Sequence, residues 1–318
     1  MPTTRLRYSA AEPELDSADR AWTIVLAGEE DEPATPGAAA GGPSPVPRAY
    51  VRAGDIRSML EQTLDRLGQL TPPSRILTVV GPNHLELARA QLRGRSDHVF
   101  CQPMTRDTGF GLYVALAMVR RWAPRAVVTI TPVGTRLPVA RTGIAHLSVA
   151  RRLAALLADQ IVVIGGNPPA PGRVLPCVPA VAGVGQVGRA QGVASMADGG
   201  TSWQVEQDGA PWCIASACAS VDATWELGRV TSPRLLEILD SLVPLVGTPD
   251  EDDAIDYIYR AFRPVNFARD MIGRAPWRCV TMPLDGSPAR WETVLDPGRA
   301  ARPSSRRMFG ERPLHRPS

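Results

Sequence analysis

"HVFCQPMTRDTGFGLYVALAMVRRWAPRAVVTITPV", residues 98–133, is the stretch whose reading decides the fold. It opens on "HVFCQP" (98–103), the end of a β-like run, and passes into "GLYVALAMVRRWA" (111–123), whose apolar residues recur at the spacing of a buried helix. "AVVTITPV" (126–133) then returns to a short run rich in β-branched residues, which reads as a buried strand. Strand, helix and strand in that order make a βαβ unit. Between its first two parts lies the polar, turn-prone stretch "QPMTRDTG" (102–109), at the mouth of the helix, where the first backbone N–H groups point outward without partners. Two readings of it stand open: a capped helix start, or a mouth that holds something anionic.

The same alternation extends in both directions. "AWTIVLAG" (21–28), "RILTVVG" (75–81), "QIVVIGG" (160–166) and "WRCVTMPL" (277–284) read as further short buried strands. "SMLEQTLDRLGQL" (58–70), "LELARAQL" (85–92) and "IAHLSVARRLAALLA" (144–158) repeat apolar residues at helical spacing. "SPRLLEILDSLVPLV" (232–246) starts with Ser232 before Pro233, and "DEDDAIDYIYRAF" (250–262) gathers its acids at the end the helix dipole favours. Strands alternating with helices predict an α/β class, a Rossmann-like, mostly parallel sheet with helices on both faces.

Residues 1–20 read as a flexible N-terminal tail, 21–297 as the folded domain and 298–318, "GRAARPSSRRMFGERPLHRPS", as a disordered basic C-terminal tail. Within the domain, 29–48 is a loop rich in proline, glycine and alanine, and about 167–210 is a glycine- and proline-rich, β-rich insertion with little helix. "GVGQVG" (183–188) formally matches a dinucleotide fingerprint, with Asp208 about twenty residues beyond. A fingerprint needs a strong helix directly after its glycines, and "RAQGVASMADGG" (189–200) is a poor one.

Composition removes several chemistries. A chain of 318 residues with 44% hydrophobic content has enough material for a real core. Cys101, Cys177, Cys213, Cys218 and Cys279 are odd in number and scattered, and His84, His98, His146 and His315 are equally dispersed, so neither a disulfide framework nor a metal site is expected. All 35 basic residues are arginine, which excludes Schiff-base chemistry and a Walker-type phosphate lysine. The net charge of +3 and the lack of a basic stripe give no case for nucleic acid. Without an apolar run long enough for a membrane span or a secretory signal, a cytoplasmic protein with no membrane partner is expected.

In order and spacing, "AWTIVLAG" (21–28), "GDIRSMLEQTLDRLGQLTPPSRILTVV" (54–80), "NHLELARAQL" (83–92), "QPMTRDTGFGLYVALAMVRRWAPRAVVTITP" (102–132), "GAPW" (209–212) and "NFARD" (266–270) together resemble the sugar nucleotidyltransferases, and most closely their mannose-1-phosphate guanylyltransferase branch. The resemblance implies a nucleotide-binding α/β core and a reaction in which a sugar-1-phosphate oxygen attacks the α-phosphorus of a nucleoside triphosphate and pyrophosphate leaves. Such chemistry relies on positioning and charge neutralisation. The family's glycine-rich loop, Gly-Gly-x-Gly-Thr-Arg-Leu, reads "AGEEDEPATPG" (27–37) here, so that Glu29, Glu30, Asp31 and Glu32 stand where a polyanion would sit. Like charges at close range cost several kcal/mol by Coulomb's law. The family's Pro-Lys becomes Pro47-Arg48, and an arginine fork does not replace a lysine point charge conservatively. Its metal-binding aspartates fall at Gly134 and Thr293, and its sugar-phosphate lysine falls within "MADGG" (196–200).

The resemblance further implies nucleotide contacts at Gly28, Gln102, Thr108 and Gly109, with Gly111 allowing close approach and Phe110 narrowing the pocket where proline is frequent. The sugar pocket would fall at Trp212, Asn266 and Asp270, although Asn266 also suits a helix cap and Trp203, Trp212, Trp277 and Trp291 suit packing. No catalytic set is intact; Arg48 and Asp270 are the remaining candidates, and no metal site is expected. If one well-placed electrostatic group is worth roughly 10²- to 10³-fold in rate, losing several leaves almost nothing. The expectation is therefore a catalytically degenerate nucleotidyltransferase-like protein, a pseudoenzyme acting as a binding or interaction module for a nucleotide, a nucleotide-sugar or a protein partner. Its alternative is an active sugar-1-phosphate nucleotidyltransferase with a rearranged site using Arg48, Arg269, Asp270 and either Glu292 or Asp296, for which Mg²⁺ and GTP would be required.

Overall fold

Seven residues, AWTIVLA, form strand β1 (Ala21–Ala27), buried from Trp22 onward. A strand buried on both faces has to be apolar on both, which is why the run does not alternate. Its side chains divide between two cores: Trp22, Ile24 and Leu26 enter one, Val25 and Ala27 the other. The computed structural model describes residues 20–28, 46–52, 56–133, 140–166, 188–189, 204–207 and 210–283.

Around β1 lie β2 (Ile76–Val80), β3 (His98–Cys101), β4 (Val127–Pro132), β5 (Ile161–Gly166), β6 (Gly188–Arg189), β7 (Gln204–Gln207), β8 (Ala210–Ser220) and β9 (Cys279–Pro283). They make one sheet in the order β3-β2-β1-β4-β8-β5-β9-β6, with β7 added beside β8. β1 pairs in parallel with β2 and β4, β2 with β3, and β5 with β9. β8 runs antiparallel between β4 and β5, and β6 runs antiparallel to β9. The mostly parallel α/β sheet read from the sequence is the sheet found, with β8 and β6 reversed. The described parts of the glycine-rich stretch after β5, β6 and β7, pair into this same sheet.

Seven α-helices cover it among the described residues: α1 (Met59–Leu67), α2 (Leu85–Leu92), α3 (Asp107–Trp122), α4 (Ala140–Leu156), α5 (Val221–Thr231), α6 (Pro233–Leu242) and α7 (Glu251–Ala261). Buried residues of α1, α2 and α4 share a core with Val25 and Ala27. Those of α3, α5, α6 and α7 share the other core with Trp22 and Ile24. Helices thus stand on both faces, as the alternation predicts.

Local chemistry sets several of the boundaries. Ser58 and Glu61 form a reciprocal capping box at the start of α1, and Arg52 closes a two-pronged ion pair on the Glu61 carboxylate at 2.8 and 2.5 Å. From α4, Arg151 reaches the sheet: its guanidinium donates to Thr129 Oγ1 at 2.7 Å, Thr23 Oγ1 at 2.8 Å and the Leu70 carbonyl at 2.9 Å. Thr23 and Thr129 are register partners on β1 and β4, so one side chain fastens α4 across the central strand pair.

The sequence reading differs from the structure in two places. α3 begins at Asp107, four residues ahead of the predicted "GLYVALAMVRRWA": the Asp107 carboxylate accepts the N–H of Thr108, and Thr108, Gly109 and Phe110 are buried in the first turn. β8 and α5 occupy a stretch where no regular element was expected. "IASACAS" (214–220) is built of small residues that carry little β signal, yet Ser216 to Ala219 are fully buried between β4 and β5.

Candidate functional site

In a sheet ordered β3-β2-β1-β4, the chain lays β2 and β3 on one side of β1 and then crosses to place β4 on the other. Such a reversal opens a crevice beyond the carboxyl ends of the two strands where it occurs, the usual place for a ligand in an open α/β sheet. At this edge Gly28 follows β1, Gly81 follows β2 and Gln102 follows β3. Tyr50 closes it from one side: its hydroxyl donates to the Ala27 carbonyl at 2.7 Å and its ring meets His84 edge-on at 5.2 Å between centroids. Because β8 runs against β4 and β5, its first residues, with Trp212 paired to Val205 of β7, start from this same edge.

Gln102 is 4% exposed, and its carboxamide lies in a slot between two glycines. A Cβ on Gly28 would run into its Nε2, and a Cβ on Gly111 would come within 2.7 Å of its Oε1. The same Oε1 accepts a hydrogen bond from the Tyr259 hydroxyl at 3.0 Å. Tyr259 belongs to α7, and its carbonyl oxygen accepts from Arg106 Nε at 2.8 Å. One residue therefore grips both ends of the loop 102–106, and its ring packs edge-on against Phe110 at 4.8 Å.

The mouth of α3 is closed by residues 265–270. Asp107 adopts the left-handed conformation at φ +66°, which a short polar side chain tolerates, and its carboxylate accepts from Thr108 N at 2.6 Å and from Asn266 Nδ2 at 3.0 Å. Gly109 N donates to the Val265 carbonyl at 2.8 Å, Val265 N to the Arg106 carbonyl at 3.2 Å, and Phe267 N to Thr108 Oγ1 at 3.2 Å. Asn266 Oδ1 accepts from Arg269 N at 2.9 Å, capping the single wide π-type turn Phe267–Met271.

Asp270 finishes this clasp. It accepts from Asn266 N at 2.8 Å and from both prongs of Arg269 at 2.9 and 2.8 Å, with Arg274 at 3.9 Å. Burial alone would raise its carboxyl, but these hydrogen bonds and the two guanidinium charges hold it below the usual carboxylate range. Arg269 is raised in turn, first by its hydrogen bonds to Asp270. A carboxylate held in this way is a poor proton acceptor near neutral pH, and a metal ion would have to displace an arginine from it.

The expected residues thus fall into two adjoining groups. Gly28 touches Gln102, while Thr108, Gly109, Asn266 and Asp270 meet in the clasp; Tyr259 and Arg106 join the two. Arg48 lies in the short turn Arg48–Tyr50 ahead of Tyr50. Glu29 to Glu32, Gly134, the "MADGG" segment, Glu292, Thr293 and Asp296 lie outside the described residues. Among the described residues no three His, Cys, Asp or Glu side chains gather as a metal-ligand set, and no helix is long and apolar enough to cross a membrane. Sequence reasoning missed Tyr259, Tyr50 and the Val265 carbonyl. An apolar-stripe tyrosine and a backbone oxygen leave no motif to find.

No protein-family model and no curated protein sequence matches the chain. Solved structures do. Mannose-1-phosphate geranyltransferase from Thermus thermophilus superposes with a TM-score of 0.65 at 18% identity, covering 83% of this chain and 74% of that one. Mannose-6-phosphate isomerase from Helicobacter pylori gives 0.60 at 10% identity, covering 84% and 98%, and the inositol-1-phosphate CTP transferase from T. maritima gives 0.50 at 10%, covering 85% and 87%. The chain therefore shares the α/β fold of these structures, as the sequence resemblance implied.

Proposed function

We propose that this chain is a nucleotidyltransferase-like protein, akin to the mannose-1-phosphate guanylyltransferases, that no longer transfers a nucleotidyl group and acts as a binding or interaction module. One observation carries the reading: at the helix mouth where a nucleotide would need donors, three of the donors already have partners within the chain. Gly109 N is bonded to Val265, Thr108 N to Asp107, and Asn266 Nδ2 to Asp107. The names of the fold's relatives, which share mannose-1-phosphate, mannose-6-phosphate or inositol-1-phosphate, favour a phosphorylated sugar or a nucleotide as the class of ligand the fold descends from handling. The sequence supports the loss of catalysis independently, through Gly134 and Thr293 at the metal aspartate positions and a chain without lysine.

The test is turnover. Purified protein is incubated with GTP, mannose-1-phosphate and Mg²⁺, and released pyrophosphate is followed by a coupled assay. No release above the protein-free control is expected. Release at an enzyme-like rate, on the order of 1 s⁻¹ or faster, overturns the reading in favour of an active transferase with a rearranged site.

A further inference from the structure

We propose that the Gln102 carboxamide is an internal plug, latched by Tyr259, that fills the carboxyl end of β1 and keeps a nucleotide out of it. The inference rests on the non-catalytic reading above and adds how the site is closed. Three observations converge on it. Gln102 is 4% exposed although it directly follows β3 at the carboxyl edge of the sheet. Its amide fills the space a side chain on Gly28 or Gly111 would take, so a ligand approaching Gly28 from that side meets the carboxamide first. Its oxygen is engaged by the Tyr259 hydroxyl at 3.0 Å, and Tyr259 is itself pinned through its carbonyl to Arg106 and through its ring to Phe110. A glutamine presented for ligand contact would leave its amide facing the crevice. This one turns its amide into a glycine slot and is tied there from α7.

The latch and the slot can be separated. Tyr259→Phe keeps the ring against Phe110 and removes only the hydroxyl; Gln102→Ala removes the plug itself. GTP with Mg²⁺ is titrated calorimetrically into the full chain and both variants, with far-UV circular dichroism and thermal melting as the check that each is folded. Both variants should bind GTP about fivefold more tightly than the parent, the factor to which one hydrogen bond of typical net strength amounts. Pyrophosphate should stay at background in all three proteins. GTP affinity that is unchanged, undetectable throughout or weaker in the folded variants overturns the plug, weaker binding assigning Gln102 as a ligand contact. Should Gln102→Ala fail to fold, Tyr259→Phe decides alone by the same criterion. Turnover by the parent protein would instead overturn the non-catalytic reading, so the two failures are distinguishable.

Discussion

A Cβ on Gly109 would stand 2.6 Å from the carbonyl oxygen of Val265, the same oxygen that accepts the Gly109 N–H. A backbone oxygen in a cross-linked segment cannot swing aside as the end of a long side chain can. Gly109→Ala is therefore expected to push residues 265–270 away from α3 and to lower stability by about 1–3 kcal/mol, the range for overpacking with loss of a buried hydrogen bond. Urea denaturation measures it. A variant as stable as the parent would show that the clasp is loose. The resemblance puts Thr108 and Gly109 at a nucleotide and Asn266 and Asp270 at a sugar; in the fold these residues meet one another. That their polar groups serve one another was not legible, because Asp107 and Asn266 are 159 positions apart and nothing local to either names its partner. The cap reading of Asn266 was legible, since an asparagine before a short helical turn has its own physics.

At the scale of elements, legibility followed side-chain size. β1, β2, β4 and β5 are rich in Val, Ile, Leu and Thr, and α2 matches its predicted bounds because its apolar positions recur cleanly at Leu85, Ala88 and Leu92. β8 escaped because a strand flanked on both sides and covered on both faces can be made of Ala, Cys and Ser when its neighbours supply the bulk. α5 escaped because Thr and Val lower its helix propensity and Gly228 interrupts its pattern; tertiary contact overrides both, with Trp225 fully buried and its Nε1 bonded to Asp240 of α6 at 2.9 Å. The loop 102–106 is fixed by α7 and not by its own sequence, which is why "QPMTRDTG" left its two readings open. In the structure the Thr108 N–H is taken by Asp107 and the Gly109 N–H by the Val265 carbonyl.

At the scale of the molecule, three groups among the described residues tie stability to pH in one direction. The ion pair with Arg52 holds the Glu61 carboxyl below its ordinary 4.5 against the opposing effect of burial, and Asp270 is held below its ordinary 3.8. A depressed carboxyl adds stability that is complete above the unfolded value and is lost as pH falls through the folded one. Burial lowers His98 from its ordinary 6.5, more than Asp97 and the Ser74 carbonyl raise it. Below that value the unfolded chain takes up the proton more readily than the folded one, so stability again falls with pH. Unfolding free energy should decline first as pH drops below 6.5 and further below about 4.5, with His98→Gln flattening only the upper part. Urea titrations across that range check it, and stability that rises on acidification would contradict it.

Two cores, one sheet and a crevice edge closed from α7 and residues 265–270 make up an α/β scaffold whose helix-mouth donors Thr108 N and Gly109 N are bonded within the chain. Hydrogen exchange at the amides of Gly109 and Phe267, followed by NMR without and with GTP, Mg²⁺ and mannose-1-phosphate, tests this most directly. Both amides should exchange slowly in the free protein, at rates the additions do not change. Fast exchange in the free protein that becomes slow only with nucleotide would contradict the account, because it would mean that these donors wait for a ligand.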